Sequence, residues 1–375
     1  MRYYIIAGEA SGDLHAANLM REIKAQDVQA DFRCWGGDLM QAMGGKVVKH
    51  YRDLAFMGFA EVLMNLRTII KNLDFCKEDI VAYRPDVLLL VDYPGFNLRI
   101  AKFAKAAGMR VVYYISPQVW AWKESRVNTI RKVVDRMLVI LPFEKSFYQK
   151  HNFEVEFVGH PLLDEIEQQK QSAAPRESWL QKNGLSSLPI VALLPGSRKQ
   201  EISTMLPLML TAASHFPSYQ FIIAAAPSQD LSFYQSLIGT KNIAILQGQT
   251  YDLLRQSHAA LVTSGTATLE TALFNVPEVV CYKGNRISYW IARGLIKIKF
   301  ISLVNLIMDR EVVKELIQDE LNENNLKVEL TKLLDGAHRE ALMADYVLLK
   351  NKLGGAGASK NAASSIIRFL MESMK

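Results

Sequence analysis

Cysteine is scarce in this chain. Three occur in 375 residues, Cys34, Cys76 and Cys281. Their wide spacing excludes a disulfide framework and points to a reducing compartment. No His/Cys group has zinc spacing. Long apolar runs are also missing: none reaches the roughly 18 residues that cross a bilayer. The start, Met1 to Gly8, is too short for the apolar core of a signal peptide. A place in the cytoplasm, or on the cytoplasmic face of a membrane, is therefore expected. Several motifs are absent as well. There is no Gly-Lys-Ser/Thr phosphate loop and no Gly-x-Gly-x-x-Gly, so a dinucleotide cofactor is disfavoured. There is no Asp-x-Asp metal clamp, and no Gly-x-Ser-x-Gly for a serine hydrolase. No cofactor and no metal are expected. Lys and Arg number 44 against 38 Asp and Glu, a net charge of +6. That balance favours anionic partners, phosphorylated substrates or an acidic lipid surface. The basic residues are scattered, without a dense tract interleaved with aromatics, so nucleic acid is not expected.

What is present is alternation. Short apolar runs read as strands: Tyr3 to Ala7, Phe32 to Trp35, Val87 to Val91, Val111 to Ile115, Met137 to Ile140 and Glu156 to Val158. Helical stretches lie between them, at Leu14 to Ala25, Leu66 to Arg84, Leu98 to Ala107 and Arg126 to Val134. The polar segment Gln168 to Leu188 interrupts the pattern. It then restarts at Ile190 to Leu194, Gln220 to Ala224, Ile243 to Leu246, Ala259 to Val262 and Val279 to Tyr282. The fold class is α/β, with two doubly wound, Rossmann-like parallel sheets, 1–168 and 169–345, facing across a cleft. A helical tail, 346–375, is broken at Gly354-Gly355-Ala356-Gly357. It is expected to pack back on the first domain or on a partner subunit.

The most specific local signal is Pro195-Gly196-Ser197-Arg198, directly after the run Ile190 to Leu194. A strand, a tight turn and a helix start place backbone N–H groups and a guanidinium where a diphosphate can sit. A second small-residue loop, Ser264-Gly265-Thr266-Ala267-Thr268-Leu269-Glu270, follows the run from Ala259. Glu270 can accept from ribose hydroxyls. In the first half, Gly8-Glu9-Ala10-Ser11-Gly12-Asp13-Leu14-His15 follows the first strand. Glu9, Asp13 and His15 offer acid–base groups there, or the loop is a plain turn with Asp13 as a helix cap. Asp92, before Tyr93-Pro94-Gly95-Phe96-Asn97, stands at a strand's carboxyl end. It suits a general base, or it orders the Pro-Gly turn. Trp120 and Trp122 in Ser116 to Lys123 pack beneath a sugar or acyl chain, or roof the core. Phe56, Met57 and Phe59 belong to an apolar stretch flanked by Arg52, Arg67 and Lys71. It reads as a core helix or a membrane-facing patch.

Taken in order, these motifs resemble the lipid-A-disaccharide synthase family of bacterial glycosyltransferases. The shared pieces run from Gly8-Glu9-Ala10-Ser11-Gly12-Asp13 through Phe56-Met57-Gly58, Asp92 with Asn97, Ser116 to Trp122, Pro142-Phe143-Glu144 and Gly159-His160-Pro161. They continue with Leu194 to Arg198, Ser264 to Glu270 and Ser302-Leu303-Val304-Asn305-Leu306. Val304 stands where the family pattern has Pro. The resemblance implies a GT-B fold without a catalytic metal, in which the first domain takes the lipid acceptor and the second the UDP-sugar donor. It implies transfer from UDP-2,3-diacylglucosamine to 2,3-diacylglucosamine 1-phosphate, with inversion, at the inner face of a Gram-negative inner membrane. It is compatible with a homodimer. Asp92 is the leading base candidate, with Glu9, Asp13 and His15 as alternatives. Gly196, Ser197, Arg198, Ser264, Gly265, Thr266, Thr268, Glu270 and Asn305 are assigned to the donor. Ser11, Phe56, Met57, Phe59, Trp120 and Trp122 are assigned to the acceptor or its lipid.

Overall fold

The computed structural model describes residues 1–54, 66–171, 174–285 and 299–372. The chain divides into two compact units. The first comprises Met1–Asp164 together with Leu353–Lys375, and the second is Glu165–Lys352. The expected limit at 345/346 falls inside one continuous helix, Gly336–Lys352.

The first unit is built on seven parallel strands: β1 (Arg2–Ala7), β2 (Asp31–Gly36), β3 (Lys46–His50), β4 (Val87–Val91), β5 (Val111–Tyr114), β6 (Arg136–Val139) and β7 (Glu156–Phe157). Their order in the sheet is β3-β2-β1-β4-β5-β6-β7. The apolar runs alternate between two cores, as side chains on a strand must. Tyr4, Ile6, Leu88 and Leu90 enter one layer, and Tyr3, Ile5, Leu89 and Val91 the other. Both faces are covered, which is why these strands are apolar throughout rather than half polar.

The second unit has six parallel strands: β8 (Ile190–Leu194), β9 (Gln220–Ala225), β10 (Ala244–Gln247), β11 (Ser257–Thr263), β12 (Glu278–Tyr282) and β13 (Lys314–Ile317). Their order is β10-β9-β8-β11-β12-β13. β3 and β13 are the strands that the apolar-run reading leaves out. Each is an edge strand, reading Lys-Val-Val-Lys-His and Lys-Glu-Leu-Ile. Charged residues on an edge guard it against pairing with another chain, and they dilute its apolar signal.

In each sheet the order reverses once, between β1 and β4 and between β8 and β11. Ligands of open α/β sheets collect outside the strand ends at such a switch point. The loops singled out above follow these four strands.

The helix Ala358–Glu372 lies on the helix Ala10–Gln26. It adds Ala362, Ala363, Ile366 and Leu370 to the core around Leu19, Met20 and Ile23. Its N-terminus is held by Asp164, whose carboxylate accepts from the amides of Gly357, Ala358 at 3.2 Å and Ser359 at 2.8 Å. Among the described residues no helix is long and apolar enough to cross a membrane.

Candidate active site

At the first switch point Ala7 pairs with Val91, which brings the loop after β1 beside Asp92. Asp92 and Tyr93 both take left-handed backbone conformations, φ 45° and 49°. Such conformations are uncommon outside glycine and are kept only where neighbours enforce them. Here the Asp92 carbonyl accepts from Asn97 Nδ2 at 2.7 Å and from the Tyr113 hydroxyl. Gly8 makes the turn feasible from the other side, since a Cβ there would lie 2.3 Å from the Tyr93 ring. The Asp92 carboxyl is pushed up to about 6, mainly by burial and then by the neighbouring Glu9 carboxylate. It is thus a carboxylate at neutral pH that takes up a proton more readily than an ordinary aspartate.

The other acid–base candidates separate. Glu9 and Ser11 are exposed on the rim of the loop. Asp13 is buried, and its carboxylate accepts from the amides of Gly37 at 2.7 Å, Leu39 at 3.1 Å and Met40 at 3.2 Å. It caps the helix Asp38–Ala42 rather than its own, and these bonds commit it to structure. His15 is turned toward Asp164 and His160 rather than over the loop. Burial drives His15 down to about 4, although Asp164 opposes this, and its Nδ1 is sealed without a partner. The residue as a whole is only half-buried, so this burial weakens its basicity without sealing the ring. Of the four acid–base candidates, Asp13 is therefore corrected to a structural position.

Trp120 is half-buried and set edge-on to Phe143, with ring centroids 4.9 Å apart. Trp122 is 55% exposed and carries Lys123 Nζ 4.2 Å from its ring centroid. Phe56, Met57 and Phe59 lie outside the described residues. Behind the tryptophan loop, Ser116 Oγ and the Tyr148 hydroxyl are 2.6 Å apart. Beside them Glu144 is buried and pushed up to about 7 by that burial, against the pull of the Leu141 and Ile140 amides. Nothing in the spacing of the sequence marks Glu144 as buried.

At the second switch point Gly196, Ser197, Arg198, Ser264, Gly265, Thr266 and Glu270 line one cavity of about 400 Å³. Gly196 has φ +107°, where an L side chain is strained, and a Cβ there would meet Glu201 Oε2 at 2.8 Å. The Arg198 guanidinium is 70% exposed. The Ser197 and Arg198 amides point at Glu201 Oε2, at 3.3 and 3.4 Å. Glu201 therefore occupies the donors expected to meet a diphosphate, through long and weak bonds. It escaped the sequence reading because the capping-box pattern looks for Ser, Thr, Asp or Asn where Arg198 stands. At the other end of the cavity wall Glu270 is pushed up to about 7, by burial first and by Glu165 second.

Two donor-site expectations are corrected. Thr268 is fully buried and its hydroxyl donates to the Gly265 carbonyl at 2.8 Å. Asn305 is fully buried as well. Its Nδ2 donates to the Val313 carbonyl and to Glu315, and its Oδ1 accepts from the Val312 and Val313 amides. Asn305 has no group left for a ligand, and Thr268 is absent from the residues that line the cavity. Asn305 and Glu315 instead hold the Ile301–Ser302 backbone, whose Ile301 carbonyl accepts from Ser264 Oγ at 3.1 Å.

Two all-parallel sheets, each with its polar loops at a switch point, define the GT-B class of α/β enzymes. Solved structures of that class match nearly the whole chain. A UDP-GlcNAc 2-epimerase from Neisseria meningitidis, bound to UDP-GlcNAc, superposes with a TM-score of 0.70 at 13% identity, over 98% of this chain and 100% of that one. The glycosyltransferase of kitacinnamycin gives 0.65 at 13% identity, over 98% and 99%. At these identities the likeness shows the fold alone. Sequence comparison goes further. The model of the lipid-A-disaccharide synthetase family matches residues 3–366. The lipid-A-disaccharide synthase of Myxococcus xanthus is 38% identical over 98% of this chain and 97% of its own length. That of Nitrosococcus oceani is 40% identical over 98% and 95%. The chain belongs to the lipid-A-disaccharide synthetase family and is an enzyme of the glycosyltransferase class.

Proposed function

We propose that the chain transfers 2,3-diacylglucosamine from its UDP derivative to 2,3-diacylglucosamine 1-phosphate, giving the β-1,6-linked disaccharide 1-phosphate and UDP. The observation that carries this reading is the cavity of the second unit. It has an exposed guanidinium and helix-start amides on one side and a half-buried carboxyl on the other. Those are the complements of a diphosphate and a ribose. In the reaction Asp92 accepts the proton of the acceptor 6-hydroxyl while that oxygen bonds to the anomeric carbon. The bond from that carbon to UDP breaks in the same displacement, so an α-linked donor gives a β-linked product. Arg198 and the Ser197 and Arg198 amides meet the charge that grows on departing UDP, once Glu201 yields them. Ser264, Gly265 and Thr266 let the diphosphate approach the backbone, and Glu270 takes the ribose hydroxyls.

Both substrates carry acyl chains, and on this reading the enzyme works at the cytoplasmic face of the inner membrane. The exposed Trp122, with Lys123 and Arg126 against its ring, suits an anionic lipid surface. The test is UDP release from UDP-2,3-diacylglucosamine with and without the 1-phosphate acceptor, with the lipid product analysed. A disaccharide lipid formed only with acceptor is the expected result. UDP release that ignores the acceptor, or an epimerised nucleotide sugar, overturns the reading.

A further inference from the structure

The helix Thr266–Leu273 carries Glu270 to the cavity wall. One turn later Phe274 lies on the same face, its amide donating to the Glu270 carbonyl at 3.0 Å. The Tyr251 ring rests on Phe274, with centroids 5.2 Å apart, and the adjacent Thr250 lines the same cavity. That packing sets the Tyr251 hydroxyl against two carboxyl groups, Glu270 and Glu165. Glu165 comes from a third element, the helix Pro161–Gln171. Its Oε2 is buried with no hydrogen-bond partner. An anion sealed in this way is costly, whereas a neutral acid is tolerated. Burial raises both Glu165 and Glu270 above the ordinary carboxylate range, so the pair favours holding one proton, and the partnerless buried Oε2 assigns it to Glu165.

The hydrogens can be counted. Tyr251 owns one. With both carboxyls ionised, it could serve only one of two buried charges. With one further proton on Glu165, each O–H has an acceptor and a single negative charge remains. We propose that Glu165 and Tyr251 are positioning residues for Glu270. Glu165, as the acid, donates to Tyr251 Oη, and Tyr251 donates to a Glu270 oxygen, leaving that carboxylate's remaining lone pairs directed at the ribose 2′- and 3′-hydroxyls. The chain of hydrogen bonds thereby makes the cavity selective for a ribonucleotide. This inference rests on the reading that the cavity binds UDP.

Dissociation constants for UDP and 2′-deoxy-UDP, measured on the full chain, test it. The unaltered protein should prefer UDP by about 10–100-fold, the scale of a hydrogen bond to a charged group. Tyr251→Phe should reduce that preference below about threefold, weakening UDP more than 2′-deoxy-UDP, which keeps only the 3′-hydroxyl for Glu270 to meet. Glu165→Gln should retain the preference, because its amide donates where the acid did. Glu165→Leu should lose it. Preference intact in Tyr251→Phe and Glu165→Leu, but lost in Glu270→Gln, overturns the chain and leaves the ribose role of Glu270 standing. Equal weakening of both ligands overturns it in favour of simple packing. Absence of any preference in the unaltered protein, or no effect of Glu270→Gln, removes the ribose reading itself.

Discussion

At the switch point of the first unit most polar side chains are bonded to the protein itself. Asp13 caps a neighbouring helix, and Asn97 is tied to the carbonyls of Ile6, Val91 and Asp92. Asp92 is what this framework leaves over, held on a backbone turn that few residues adopt. At the switch point of the second unit the backbone is open and the charges are loose. Arg198 is exposed, and the amides beside it are met only by long bonds from Glu201. On the proposed reading the same topology serves two needs. A proton acceptor must be held in place, and its cost is strain. A phosphate clamp must exchange partners, and its cost is an internal carboxylate that stands in for the ligand.

This contrast is sharpest for Asp92→Asn. Asparagine tolerates the left-handed turn but has no basicity. The kcat should fall about 100-fold or more, with UDP affinity and Tm unchanged; near-normal kcat would return the search to Glu9. Arg198→Ala should weaken UDP binding by about 1.5–3 kcal/mol, the scale of a charged hydrogen bond, with Tm unchanged because the side chain is exposed. A binding loss shared equally by uridine would show that Arg198 does not address the diphosphate. Asp13→Asn should do the reverse of Asp92→Asn. Three amides lose their anionic acceptor, so stability should drop by about 1–3 kcal/mol in denaturant titration, while kcat per folded molecule is little altered. In the pH profile, kcat/KM should fall as pH drops through about 6, because protonated Asp92 cannot accept a proton, and should level off above it. That lower limb should be absent from the residual activity of Asp92→Asn. The smallest expected effect is that of Trp122→Ser, which should weaken vesicle binding a few-fold, by about 1 kcal/mol, with the melting curve unchanged.

The apolar runs of β1, β4, β8 and β11 are legible because these central strands are buried on both faces, and the four loops that follow them could be located from the sequence for the same reason. What was not legible is the destination of each polar side chain. Asp13 follows a strand and precedes a helix as a cap should, but its carboxylate serves a helix that starts at Asp38. Thr268 and Asn305 sit in motifs that read as ligand-facing and turn inward to satisfy backbone groups. Tyr251, Glu165 and Glu144 carry no local pattern. They meet their partners across elements distant in sequence, a relation that periodicity and spacing do not encode.

The Asp164 carboxylate, which grips the amides at 357–359, has a consequence for how the chain is made. The second unit is one uninterrupted stretch, and it can close once residue 352 has left the ribosome. The first unit cannot. Its core beside Leu19 and Ile23 lacks the cover of Ile366 and Leu370 until some 350 further residues have been translated. The part of the protein synthesised first is therefore the part completed last. During synthesis the apolar face of the first helix waits uncovered, and a chaperone has the longest opportunity to hold it there.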